Sequence, residues 1–406
     1  MKLFKRASLS ILALATIGIT TPNYAHAEGF ALQDWSARAA SLAGGVVARG
    51  GDASAVAYNP AAITELEGTQ VMGGAEIISL TNSIKGPYTI TSEDRIYAAP
   101  HGYITHKFND NVSLGLGLYS RYGLGNKYDQ NWFGAAQVYN IQLLTTSLTP
   151  VLAYKVNDNL SLGMGLEIMG GIVELDKNIK MGPVTVVNKL SGDALDFGYN
   201  LSMHYRFNEQ WKAGLTYRSH VTLDFDGTND RLMMIGAVPQ ISSIDGSAKL
   251  YTPASFTFAL AYFPTEKLSF EGQVQYNTWS RYTELAVELK DGTRTSEIKD
   301  WEDTWFFSLS TEYEYNDWLT LRAGISHETS PVKQAWADYV APVNGRWKYT
   351  AGFGIHKDNW TYDMSYIYHD IKNLDYSGSH TSGVVQASHS SEVNAHTVAF
   401  TLGYKF

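Results

Sequence analysis

From Val112 the chain alternates strictly. Val112, Leu114, Leu116 and Leu118 fall on one face, and Ser113, Gly115, Gly117 and Tyr119 on the other. A period of two is the signature of a β-strand, because successive side chains point to opposite faces. The same pattern returns in Leu160, Leu162, Met164, Leu166 and Ile168 against Ser161, Gly163, Gly165 and Glu167. It closes the chain as Val398, Phe400, Leu402, Tyr404 and Phe406 against Ala399, Thr401, Gly403 and Lys405. Such an apolar face meets either a second sheet, in a soluble sandwich, or lipid, in a membrane barrel whose other face looks into a lumen.

The spacing of the turns separates these two readings. Short turn signals begin at Asn109, Asn157, Asn208, Thr265, Asn316 and Lys357, successively 48, 51, 57, 51 and 41 residues apart, and a further 49 residues reach the C-terminus. Each interval holds two alternating segments and one longer, more polar connection. Six intervals predict twelve strands, and the stretch from Thr69 to Phe108 supplies two more. Fourteen is even, as a single-chain bacterial barrel requires, and the alternation of tight turns with longer loops matches periplasmic turns and external loops. Trp211, Trp318 and Trp360 follow tight turns, where an interfacial aromatic girdle belongs. The expected fold is therefore all-β: a 14-stranded antiparallel transmembrane β-barrel over residues 69–406.

Targeting signals agree with export. Lys2, Lys5 and Arg6 form a positive start, Ile11 to Ile19 an apolar run, and Ala25-His26-Ala27 a small-x-small cleavage site. Residues 1–27 read as a signal peptide, the apolar run being too short and too broken by Thr and Gly for an uncleaved anchor. Without them the formal net charge moves from −9 to −12, which argues against nucleic acid as a partner. There are no cysteines, so disulfides, thiol nucleophiles and thiolate metal sites are excluded. The 26 Tyr, 10 Trp and 36 Gly are heavy for a soluble domain and suit an outer-membrane barrel of a Gram-negative bacterium.

Fourteen strands leave a lumen that must be filled or left open. The one sizeable segment outside the strand pattern, residues 28–68, is rich in small residues and broken by Gly44-Gly45 and Gly50-Gly51. It reads as a compact plug, or hatch, inside the barrel; a periplasmic tail is the alternative. Within it, Asn59 and Pro60 form a compact turn with Ala61.

Several stretches here resemble one family. They are the Gly-Phe near the cleavage site, Asn59-Pro60-Ala61 followed by Ala62-Ile63-Thr64, and Ser120-Arg121-Tyr122-Gly123-Leu124. Farther on come Leu215-Thr216-Tyr217-Arg218-Ser219 with Asp224-Phe225, Thr278-Trp279-Ser280, and Arg322-Ala323-Gly324-Ile325-Ser326 through Ser330-Pro331-Val332. In this order they are similar to the FadL-type long-chain fatty-acid and hydrocarbon transport family. The resemblance implies passive uptake of hydrophobic small molecules, most of all long-chain fatty acids, with capture at outer loops, an interior pocket, and lateral release into outer-membrane lipid at a kinked third strand. No cofactor is implied, and the barrel is expected to act as a monomer.

The resemblance also assigns candidates. Phe30 would gate or touch the substrate, or simply pack the plug. Asn59, Pro60 and Ala61 would gate, as a latch beside the third strand, or serve as structural punctuation. Gly123, at the end of the third strand, would mark the lateral kink, or merely start a loop. The family's basic positions fall on Lys177 and near Glu297, where Lys299 stands two residues on as a substitute; the alternative is that both lysines are solvated loop or lumen charges. Arg121 and Arg218 alternate onto the lumen side, where charges are usually structural. His380, His389 and His396 fit no metal spacing and are assigned none. No Ser, His and acid grouping points to an enzyme. A surface adhesin or structural barrel is the functional alternative, with loops only moderate in length.

Overall fold

The computed structural model describes residues 29–182, 184–235, 238–381 and 388–406; the signal-peptide reading of residues 1–27 lies outside them. Fourteen antiparallel strands close into one barrel. They are β1 (Thr69–Lys85), β2 (Arg95–Lys107), β3 (Val112–Tyr119 and Gly123–Lys127), β4 (Asn140–Lys155), β5 (Leu160–Met181), β6 (Val184–Arg206) and β7 (Trp211–Arg218 and Thr222–Ile235). The circuit continues through β8 (Val238–Tyr251 and Ser255–Thr265), β9 (Leu268–Asn277 and Glu284–Leu289), β10 (Arg294–Ile298 and Thr304–Asn316), β11 (Leu319–Glu328), β12 (Arg346–Lys357), β13 (Trp360–Ile371) and β14 (His389–Lys405). Closure runs from Gln70 opposite Lys405 to Lys85 opposite His389. A closed ring leaves no sheet edge for lipid to meet, which is what allows strands to cross a bilayer at all.

The alternation holds in three dimensions. Leu114, Leu116, Leu162, Met164, Leu166, Phe400 and Leu402 are exposed on the outside, whereas Ser113, Tyr119, Glu167, Ala399 and Thr401 are buried within. The six tight turns stand where their spacing put them. Trp211 stacks on Tyr262 at 4.4 Å between ring centres, and Trp360 meets Tyr404 at 4.7 Å, as neighbours in a girdle would.

Residues 29–66 are almost wholly buried and bond to strand residues around the ring. They contain a short helix α1 (Ala37–Ser41), a single turn α2 (Ala55–Tyr58) and a 3-10 turn (Pro60–Glu65), nearly all buried. Hydrogen bonds reach the wall on several sides. Ala37 N donates to Thr401 on β14 (2.9 Å), and the backbone N–H groups of Val47, Ala48 and Arg49 donate to the Glu271 carboxylate on β9 (2.8, 3.2 and 2.6 Å). Arg38 pairs with Glu312 of β10 at 2.9 Å, and Lys348 of β12 with Asp34 at 3.2 Å. The wall makes room with glycine: a Cβ at Gly163 would sit 2.5 Å from the Ala61 nitrogen, and one at Gly115 2.6 Å from Val56.

Five strands are broken, and the sequence pattern had placed no breaks in the later ones. β3 lapses at residues 120–122, β7 at 219–221, β8 at 252–254, β9 at 278–283 and β10 at 299–303. The last four are neighbours. Thr252 N donates to Val221 O (3.0 Å), Thr278 N to Ala254 O (3.0 Å) and Lys299 N to Thr283 O (2.8 Å), so the lapses keep each other's backbone satisfied inside the wall.

Candidate functional site: an aromatic passage closed at the third strand

The broken strands turn aromatic rings inward. Phe30 is buried among Trp279 (4.8 Å between ring centres), Trp301 (5.7 Å), Tyr122 (5.9 Å) and Tyr282 (5.9 Å). Each of these four comes from a lapse in β3, β9 or β10. Gly29 precedes Phe30 with φ +64, and a Cβ there would lie 2.7 Å from both indoles, so the approach requires glycine. Leu124, Ile141, Leu143, Met169, Leu223 and Phe225 extend the apolar lining toward the outer end. The sequence had singled out Phe30; Trp301 and Tyr282 it missed, and Trp279 and Tyr122 it quoted only as parts of motifs.

The third strand is interrupted beside this packed aromatic cluster. β2 pairs with β3 only from Gly102 opposite Leu118 to Lys107 opposite Ser113. Farther out, residues 95–101 of β2 form no ladder with β3, although Tyr97 Oη donates to Gly125 O at 3.1 Å. The start of the plug supplies the missing strand. Leu32 N donates to Arg121 O (2.7 Å), Gly123 N donates to Phe30 O (2.9 Å), and Ala31 stands opposite Tyr122. Gly123 thus neither ends the strand nor begins a loop: it is the first residue of the resumed half, bonded to the plug.

Asn59-Pro60-Ala61 is held chiefly by hydrogen bonds. The reading placed this turn beside the third strand, but its hydrogen bonds go to β6 and to the plug itself. Asn59 Nδ2 donates to Val47 O (2.7 Å) and Met203 O (3.2 Å), Ala61 N donates to Ser202 Oγ (2.9 Å), and nearby Thr64 donates to Ser161 of β5 (2.7 Å). The Asn59 side chain also accepts from Ala61 N (3.2 Å), which caps the 3-10 turn that Pro60 begins. The turn thus anchors the plug to β5 and β6 through hydrogen bonds, while Ile63 packs beside Gly115 on the first half of β3.

Glu65 adds a second anchor at the inner mouth, facing Lys212 (2.7 Å), Arg206 (3.2 Å) and His204 (3.2 Å). Burial alone would raise its pKa, but His204 and Lys212 outweigh burial and hold it down to about 2. A carboxyl lowered in the folded state stabilises above its ordinary value of 4.5 and loses that contribution as pH falls toward 2. Protection from hydrogen exchange at residues 61–67, taken relative to the intrinsic amide rate at each pH, is therefore expected to hold from pH 8 to pH 5 and to fall progressively toward pH 2. Glu65→Gln should give the lowered protection already at neutral pH; a variant indistinguishable from wild type would remove the anchor from the account.

The two lysines are brought together, but not as free cations. Lys299 is buried, bonded to Asp338 and 3.4 Å from Glu297, while Lys177 Nζ stands 4.0 Å from the other oxygen of Glu297. Two lysines thus meet two carboxylates. Asp338 belongs to the long connection between β11 and β12, which sequence order alone did not bring near residue 299.

Residues 18–406 match the family described as outer membrane protein transport protein (OMPP1/FadL/TodX). Among curated relatives, the chain is 26% identical to the long-chain fatty acid transport protein of Escherichia coli O6:H1 strain CFT073, over 92% of this chain and 91% of that one. It is 24% identical to outer membrane protein P1 of Haemophilus influenzae, over 97% and 98%. Among solved structures, a FadL homologue of Pseudomonas aeruginosa superposes with a TM-score of 0.84 at 18% identity, covering 93% of this chain and all of that one. The toluene transporter TbuX of Ralstonia pickettii gives 0.72 at 17% identity, covering 92% and 99%. The chain belongs to the OMPP1/FadL/TodX family of outer-membrane transport proteins, and its fourteen strands form the barrel by which that family crosses the outer membrane.

Proposed function

We propose that this chain takes up long-chain fatty acids, admitting them through the aromatic passage and releasing them sideways between β2 and β3. The observation that carries this reading is the seven-residue stretch of β2, residues 95–101, without a ladder to β3, stopped by plug residues 30–32. Withdrawing three residues would leave only the bonds from Tyr97 Oη to Gly125 O and from Glu93 N to Lys127 O across this stretch, and the ladders that close the barrel elsewhere would stay intact. For a greasy substrate such an exit is favourable, since each methylene transferred from hydrocarbon to water costs about 0.8 kcal/mol.

Phe30 is the gate in this reading, because its backbone carries one of the bonds that seals β3 and its ring fills the passage. Asn59, Pro60 and Ala61 hold the rest of the plug against β6 while the gate moves. Lys177 and Lys299, each facing an acid, are better suited to clasping the outer loops than to receiving a head group. A single barrel encloses the whole route, so a monomer suffices. The curated relative named for long-chain fatty acid transport supports the substrate class.

The test is uptake at limiting substrate in cells lacking the gene, with and without complementation. Oleate accumulation should fall several-fold on deletion and return with the wild-type chain. If a strain with no redundant transporter accumulates oleate and alkanes equally well in both cases, the transport reading is wrong.

A further inference from the structure

We propose that Arg121 and Arg218 form a carboxylate-binding station immediately inside the gate, and that this station, in place of the outer lysines, receives the acidic head group. The proposal rests on the transport reading and adds to it where the charge of the substrate is held.

Both arginines and Glu167 are buried. Arg121 Nη1 lies 2.7 Å from Glu167 Oε2, and Arg218 Nη1 lies 3.6 Å from the same oxygen. Arg218 is further occupied, donating to Tyr119 Oη (2.7 Å) and to Ala57 O of the plug. Arg121 is not: of its five N–H donors, one goes to Glu167, and the guanidinium otherwise lies 5.0 Å from the Tyr122 ring centre. Two cations thus share one anion.

That imbalance sets the cluster apart from its neighbours. Among the other described clusters buried within the barrel, Arg38 and Arg322 meet Asp52, Glu312 and Asp363, and Arg346 and Lys348 meet Glu328 and Asp34. Arg49 stands by Glu271, and the two outer lysines meet Glu297 and Asp338. In each of these, acids equal or outnumber the bases; Glu65 also faces two cations, Lys212 and Arg206, but those three are partly exposed at the inner mouth, where water screens them. A buried cation without its counter-charge is unfavourable, and an incoming carboxylate relieves it with short, charge-assisted hydrogen bonds.

The geometry offers such an anion a place. Arg121 and Arg218 line one cavity of about 50 Å³ together with Trp35, Gln273 and the gate residues Ala31 and Leu32. The volume holds a few water molecules or one carboxylate, and not an alkyl chain. One buried donor of its lining, Trp35 Nε1, has no hydrogen-bond partner. An acid seated here would leave its chain against residues 30–32 and the β2 to β3 opening.

The test compares oleic acid with oleyl alcohol, binding to the full chain in nanodiscs of neutral lipid. Arg121→Gln keeps the backbone bond to Leu32 and should lower the acid-to-alcohol affinity ratio about tenfold. Glu167→Gln, which removes the competing anion, should raise that ratio. Lys177→Gln should leave it within twofold. Equal losses for acid and alcohol in Arg121→Gln, or an acid-specific loss in Lys177→Gln, would overturn the proposal while leaving transport intact. Should Arg121→Gln fail to assemble, an unchanged ratio in Glu167→Gln overturns it as well. A wild-type chain that binds neither probe defeats the transport reading itself.

Discussion

In planar bilayers a Glu271→Ala variant is expected to conduct ions far more often than the wild-type barrel. Glu271 projects from β9 and accepts three successive plug N–H groups, from Val47, Ala48 and Arg49, at 2.6–3.2 Å. Alanine leaves all three donors without that acceptor in a closed interior and deprives the adjacent Arg49 guanidinium of a nearby negative charge. A buried group left unsatisfied costs about 1–3 kcal/mol, so losing even two of the three bonds disfavours the seated plug by about 3 kcal/mol. That corresponds to a hundredfold or more in the population of displaced plugs, since about 1.4 kcal/mol is tenfold. Glu271→Gln keeps one acceptor oxygen at the same place and should give an intermediate conductance. Gly45 O and Ser269 still receive the Arg49 side chain in both variants, so the strand and its ladder are undisturbed. If Glu271→Ala conducts no more than wild type, the carboxylate does not seat the plug.

How far the sequence anticipated this architecture depends on the range of the interactions concerned. The strands were legible because period two and turn chemistry are local: Asn109, Asn157 and Asn208 each accept the N–H two residues on, and these turns fix the register of their hairpins. The alternating glycines at 115 and 163 were visible as a small face. That they face plug residues Val56 and Ala61 was not, because the plug has no period to align with them. The breaks in β7 to β10 were illegible for a similar reason: a lapse of three to six residues looks like the beginning of a loop unless its partners in the neighbouring strands are known. With the breaks, the sequence reading lost Trp301 and Tyr282. Lys299 was placed in the right segment, but its partner Asp338 arrives from 39 residues away, and that ion pair changes its meaning from an open cation to a clasped one. Charge balance is a property of the folded cluster. Only there do Arg121 and Arg218, separated by ninety-odd residues, share Glu167.

A disulfide between residues 31 and 122 is expected to abolish uptake reversibly. Ala31 and Tyr122 face each other in an antiparallel bridge flanked by the bonds from Leu32 N to Arg121 O and from Gly123 N to Phe30 O. They are therefore a non-hydrogen-bonded pair, whose α-carbons lie about 4.5 Å apart in general, within the range a disulfide spans. The chain has no cysteine of its own, so Ala31→Cys with Tyr122→Cys creates a single possible bridge. Oxidised, the plug's first residues are held across the gap between β2 and β3, and oleate uptake should fall at least tenfold. Reduced, the same protein should transport at the rate its altered Tyr122 position allows, so each molecule is its own control for misfolding and for loss of the ring. On the plug side the seal comprises two backbone hydrogen bonds and the packing of Phe30 and Leu32, and across the stretch itself stand the bonds from Tyr97 Oη to Gly125 O and from Glu93 N to Lys127 O. Asn59, Glu271 and Arg38 hold the remainder of the plug at separate points of the wall. On the proposed route, residues 30–32 move while the body of the plug stays anchored. Uptake equal in the oxidised and reduced forms would mean that substrate leaves by a path on which residues 30–32 do not stand.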